Sequence, residues 1–104
     1  MSDNKPPKAH YPSLINNEVN FYIFSKLFPR LNIDSKRFEF TTVYDVDEKD
    51  MIEIYVGDTK TQRVISIQRL FGVRDLGVTE IVNQMNGMLD EFFTNHFIRL
   101  MKEE

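Results

Sequence analysis

The chain has 104 residues, 41% of them hydrophobic and 28% charged, with nine Phe, four Tyr and no Trp. That length holds one domain and one core, and the composition excludes disordered, collagenous and low-complexity chains. With no cysteine, disulfides, thiol nucleophiles and thiolate zinc sites are excluded as well. A formal net charge of −3 gives no general attraction to phosphate backbones, which makes proteins the expected partners. Residues 1–12 contain no apolar stretch of the kind a secretion signal needs, and no apolar run approaches the ~18 residues that would cross a bilayer. The expectation is a cytoplasmic protein without membrane contact.

Taken in order, residues 1–12 hold Pro6, Pro7 and Pro12 among Lys5, Lys8 and Asp3, which reads as a flexible N-terminal tail before a single domain over 13–104. Ser13 is placed to cap a helix from Leu14 to Phe28, and Pro29 is expected to end it. From Phe38 the apolar period changes to two: Phe38, Phe40, Thr42, Tyr44 and Val46 alternate with Glu39, Thr41, Val43 and Asp45, as in a half-buried strand. Asp47, Glu48, Lys49 and Asp50 form a polar connection to a second run, in which Ile52, Ile54 and Val56 oppose Met51, Glu53 and Tyr55. Gly57 and Asp58 begin a turn, and a third strand is expected over Gln62 to Leu70. Beyond Gly77, apolar residues recur every three or four positions from Val78 to Leu100, the pattern of a long helix. The order α-β-β-β-α predicts an α+β fold: a three-stranded antiparallel sheet with two helices packed on one face.

At about 100° per residue, the last helix gathers Val78, Ile81, Val82, Met85, Met88, Leu89, Phe92, Phe93, His96 and Leu100 into one core-facing arc. Phe97, Ile98 and Met101 fall outside it. The first helix shows a larger excess, since Ile15, Val19, Tyr22, Ile23 and Leu27 fill one side while Leu14, Phe21, Phe24 and Phe28 fill nearly the opposite one. A helix apolar on two sides is buried on two sides, and this surplus predicts a homo-oligomer meeting through Phe21, Phe24, Phe28, Phe97, Ile98 and Met101.

No motif organises a bond-breaking step. Asp45 followed by Asp58-Thr59-Lys60 resembles the spaced Asp and D/E-x-K signature of metal-dependent nucleases, where two carboxylates hold Mg²⁺ and the Lys supports the attacking water. In that family the D/E-x-K lies along a strand, whereas here it follows Gly57 in a turn. Asp45, Asp47 and Asp50 invite a calcium-loop reading, but Lys49 and Asp50 break the loop spacing and a solvated hairpin is the more ordinary one. His10 and His96 are too far apart in sequence for any ligand spacing, and His96 reads as a core ring. No catalytic residue, metal site or cofactor is therefore assigned.

Charge is unevenly shared: residues 38–62 carry seven acidic groups against two basic, while residues 1–37 carry six basic against three acidic. Two functional expectations follow. In the first, a small regulator, inhibitor or assembly subunit binds another protein through the outer face of its sheet, with Val43, Met51, Tyr55 and Val64 set among Glu39, Thr41, Glu53, Ser66 and Gln68, and with Asp47 and Glu48 steering the encounter. In the second, Lys36, Arg37, Arg63, Arg69 and Arg74 form a basic stripe that contacts nucleic acid. The order of elements is similar to that of double-stranded RNA-binding domains, which implies phosphate contacts from the start of the last helix. Here that start reads Asp75, Leu76, Gly77, Val78, Thr79, Glu80, which repels phosphate.

Overall fold

The computed structural model describes residues 8–97. Helix α1 (Tyr11–Tyr22) passes into a π turn at Ile23–Leu27 and then into α2 (Phe28–Leu31). Strands β1 (Phe38–Asp45), β2 (Met51–Asp58) and β3 (Arg63–Phe71) form an antiparallel meander in the order β1-β2-β3. Helix α3 (Val78–Phe92) closes the fold and is followed by a second π turn at Phe93–Phe97. This is the α+β architecture expected from the alternation of periods, with the helices on one side of the sheet.

The first helical arm shows why the wheel misplaced its residues. Ile15, Val19, Ile23 and Leu27 are all buried, and each step of four residues advances about 40° beyond a full turn of an α-helix, so the stripe would drift about 120° around the rod. The π turn takes up that drift: the Phe28 N–H donates to the Ile23 carbonyl, five residues back, and the wider turn brings both Leu27 and Phe28 into the core. Phe24 and Phe28 of the supposed second apolar face therefore continue the first one past a change of pitch, while Leu14 is half-buried and Phe21 exposed. Pro29 does not stop the arm, because the opened turn lies where its ring and missing donor would have conflicted with the ladder. The arm instead ends at Asn32 in the left-handed region (φ 58°), with the Ile33 N–H returning to the Phe28 carbonyl at 2.9 Å.

Its start also differs from expectation. Tyr11 is buried and its ring meets Tyr44 edge-on at 6.3 Å, so the chain joins the core before Ser13, and Ser13 lies inside the helix instead of capping it. At the other end, α3 is capped by Gly77, whose N–H donates to the Glu80 carboxylate at 3.1 Å. Ile81, Met85, Leu89 and Phe93 form its fully buried stripe. His96 is exposed and stacked on Phe92; the π turn carries it away from the core arc in which the regular wheel placed it.

Phenylalanines join these layers. Phe28 packs edge-on against Phe93 at 5.0 Å, against Phe38 at 5.8 Å and against Phe24 at 5.4 Å, while Phe93 also meets Phe38 and Phe92. Edge-to-face pairs contribute about 1 kcal/mol each beyond the area they bury. A polar clasp lies beside them: the Tyr22 hydroxyl donates to Asp90 at 2.7 Å, and Arg30 donates to the other oxygen of the same carboxylate at 2.9 Å. Phe93→Ala is expected to cost about 4 kcal/mol in urea unfolding, and Phe21→Ala, at a residue 63% exposed, less than about 0.5 kcal/mol.

Candidate functional site

The helices cover one face of the sheet and leave the other open. On the covered side lie Phe38, Phe40, Thr42 and Tyr44 of β1 and Ile52, Ile54, Val56 and Asp58 of β2. On the open side the register lines up rows across the strands: Asp45, Met51 and Phe71; Val43, Glu53 and Arg69; Thr41, Tyr55 and Ile67; Glu39, Gly57 and Val64. Ser66 and Gln68, expected on this side, pair instead with Val56 and Ile54 on the covered side. The register shifts between Val56 and Gly57, where β3 carries one extra residue, and a single inserted residue reverses the facing of all that follow. Ile67, Arg69 and Phe71 are thereby turned outward.

Four large hydrophobic side chains on this face are exposed: Val43, Val64, Ile67 and Phe71, the last at 64%. Met51, also expected here, is buried between its strand neighbours, and Tyr55 is half-buried. In the centre the Glu53 carboxylate accepts from Arg69 on one oxygen and from the Tyr55 hydroxyl, at 3.1 Å, on the other. Those donors, Arg69 first, hold the Glu53 carboxyl below the usual carboxylate range, and the same bond to Glu53 pushes the Tyr55 hydroxyl up. The result is an ion pair fixed within an apolar surround.

The loop beside this face is held in place. Arg74 donates from its backbone to the Asp50 carboxylate at 2.6 Å and from its side chain to the Val46 carbonyl at 2.9 Å, and Gly72, in the left-handed region at φ 72°, donates to the Asp50 carbonyl. Val46 and Val73 are buried beneath it. Asp47 and Glu48 are exposed, so their charge is displayed from a braced turn.

Other candidate groups are dispersed. Asp45 pairs with Met51 and Asp58 with Phe38, which sets the two carboxylates at opposite ends of β2, about 23 Å apart at 3.3 Å per residue; they cannot share an ion. Asp58 serves the frame instead. It accepts from Arg37 Nε at 3.2 Å, from the Arg37 Nη2 at 3.1 Å and from the Lys60 N–H at 2.9 Å, closing the β2-β3 turn against the start of β1. Among the described residues no cluster of three or more His, Asp or Glu is arranged to hold a metal ion. The basic stripe is divided too. Lys36 and Arg37 adjoin Thr59, whose hydroxyl donates to both of their carbonyls, and Arg63 lies across from Asp58; Arg69 is paired with Glu53, and Arg74 braces the far loop.

The helix-face candidates change character as well. Phe28 is 1% exposed and Phe24 is half-buried against Phe28 and Phe40, because the π turn folds both inward. Phe21 alone of the described candidates is exposed; the Phe97 side chain, Ile98 and Met101 lie outside the described residues. The exposed residues that sequence reasoning missed, Ile67 and Phe71, had one signal available: Gly57 stands inside β2, and a glycine within a strand often marks a bulge. No helix among the described residues is long and apolar enough to cross a membrane. Comparison with known proteins finds no matching family model, no matching curated protein and no matching solved structure.

Asp58 and Asp90 share one pH signature. Arg37 first for Asp58, and Tyr22 first for Asp90, hold each carboxyl below its usual range. The folded state then binds protons less readily than the unfolded state, so the stability these groups give is complete above the ordinary carboxylate range near pH ~4 and is lost as pH falls through the folded values. Thermal melts of the chain should decline over that acid window, and Asp58→Ala should lower stability by about 3 kcal/mol at neutral pH while flattening the acid decline.

Proposed function

We propose that this protein is a non-enzymatic protein-binding module, a small regulator, inhibitor or assembly subunit, which engages its partner through the open face of the sheet. One observation carries the reading: Val43, Val64, Ile67 and Phe71 stand exposed together on a face that no described element covers. An antiparallel sheet with one solvated face ordinarily turns polar residues to that side, and apolar residues gathered on one surface and edged by polar ones mark binding sites more often than they mark idle surface. The central Tyr55, Glu53 and Arg69 suit this role, since Tyr and Arg are enriched among the side chains that carry binding energy and the ion pair gives the patch an orientation. Phe21, on the helical side, stands apart from it.

Asp47 and Glu48 support the same reading from the rim. Displayed on a braced loop, they raise the rate of encounter with a basic surface without contributing to the core. Charge reversal at both positions is expected to slow association, weaken its dependence on salt and leave the melting temperature unchanged.

The test of the face itself is capture from the native cell extract, quantified for the wild type and for single variants. Ile67→Glu and Phe71→Asp should each lose the wild type's stoichiometric partner by about tenfold or more, as expected for truncating or charging an interface centre, while Phe21→Asp retains it and all three melt cooperatively. Equal retention by Ile67→Glu and the wild type contradicts the reading.

A further inference from the structure

Resting on that reading of the sheet as a recognition surface, we propose that the open edge of β3 receives an extended acidic segment of another protein as a fourth strand. The sheet has two edges, β1 and β3, and three features together mark β3 for this role.

The first is access. No described backbone hydrogen bond joins β3 to anything but β2, so its outward row of amides and carbonyls is presented for pairing. Edge strands are usually blunted by proline, bulges or shortness. β3 is nine residues long and contains no proline, and its one irregularity lies at its start, opposite Val56 and Gly57. From Ser66 to Phe71 the register with β2 is unbroken.

The second is apolar content. Three of the four exposed hydrophobic residues of the open face, Val64, Ile67 and Phe71, belong to β3, whereas β1 offers Val43. An added strand would place alternate side chains beside them, the neighbour geometry by which cross-strand pairs stabilise a sheet.

The third is charge. β3 carries Arg63 and Arg69 and no acidic residue, and Arg74 follows it, while β1 carries Glu39 and Asp45 and no basic residue. Arg69 is half exposed even while it holds Glu53. A strand bearing Glu or Asp meets attraction along β3 and repulsion along β1, so the edge selects both the sign of its partner and the side on which it pairs. Main-chain bonds then give affinity and the alternating side chains give specificity, as in other strand additions.

The probe is a nine-residue blocked peptide alternating Val or Ile with Glu, with a control in which every Glu is Lys; each is titrated into the full chain and followed by amide shifts and hydrogen exchange. The Glu peptide should shift and protect the amides of Ser66–Phe71, leave β1 unchanged, and bind at least about tenfold more tightly than the Lys peptide. Neighbouring amides alternate between β2 and the open edge, so of Ser66→Pro and Ile67→Pro one loses a ladder bond and the other only an outward donor; the variant that still melts as the wild type should lose the Glu peptide. Binding of both peptides alike, no binding of the Glu peptide at millimolar concentration, protection confined to β1, or full affinity in the folded proline variant each overturns strand addition. A concentration-dependent dimer that protects β3 without peptide overturns it too, because the occupant would be a second copy. Failure here with Ile67→Glu still abolishing capture rejects the edge and leaves the face; capture unaffected by Ile67→Glu rejects the face.

Discussion

The contact between Phe28 and Phe93, 5.0 Å between ring centroids, is the constraint on which the layout of this molecule depends. It joins the two helical segments where each departs from α-helical pitch, with a π turn just before Phe28 and another beginning at Phe93. Phe38 touches both rings, so the first strand is fixed to the same point. With that junction made, both helices lie on one side of the sheet, and three strands, only about 15 Å wide at 4.8 Å per strand, have their covered face filled. The apolar surplus of the sequence is then divided: Phe24, Phe28 and Phe93 of the helical segments turn inward, and Val64, Ile67 and Phe71 of β3 are left outside.

Charge follows a corresponding division of labour. Asp58, Asp90 and Asp50 tie separate elements of the frame together: Asp58 joins the β2-β3 turn to the entry of β1, Asp90 joins α3 to the first arm, and Asp50 joins the β1-β2 loop to the exit of β3. Glu53 differs from these, since it holds Arg69 on the open face, where the pair supports no turn and no helix. The side chains of Asp47 and Glu48 are exposed and hold no turn or helix among the described residues. Under the proposed function, the groups that stabilise and the groups that would meet a partner are distinct residues, and removing the second kind should leave the first undisturbed.

Much of this was legible in the sequence. The alternation from Phe38 to Tyr44 and from Met51 to Val56 identifies the two strands and their covered faces because a period of two has a single burial solution here, and Val78 opens the last helix just after Gly77, where the apolar period changes. Two kinds of information were not legible. A π turn adds a residue to a helical circuit, so a wheel of constant pitch splits one stripe into two apparent faces, and Phe24, Phe28 and His96 were misassigned for that one reason. A bulge does the same to a strand: Ser66 and Gln68, expected outside, turn to the covered side, and Ile67 and Phe71 take the open one. In both cases residue type was read correctly and phase was lost, because phase depends on tertiary packing that local spacing does not encode.

The central claim is that the sheet of the free protein ends at β3, with no described segment paired along its outer side. Native-state hydrogen exchange of the peptide-free chain at low concentration measures this most directly. The outward amides between Ser66 and Phe71 should exchange orders of magnitude faster than those of β2, which are paired on both sides. Protection across all of β3 equal to that of β2, at the solution mass of a single chain, would mean that the edge is already covered from within, and would contradict the account.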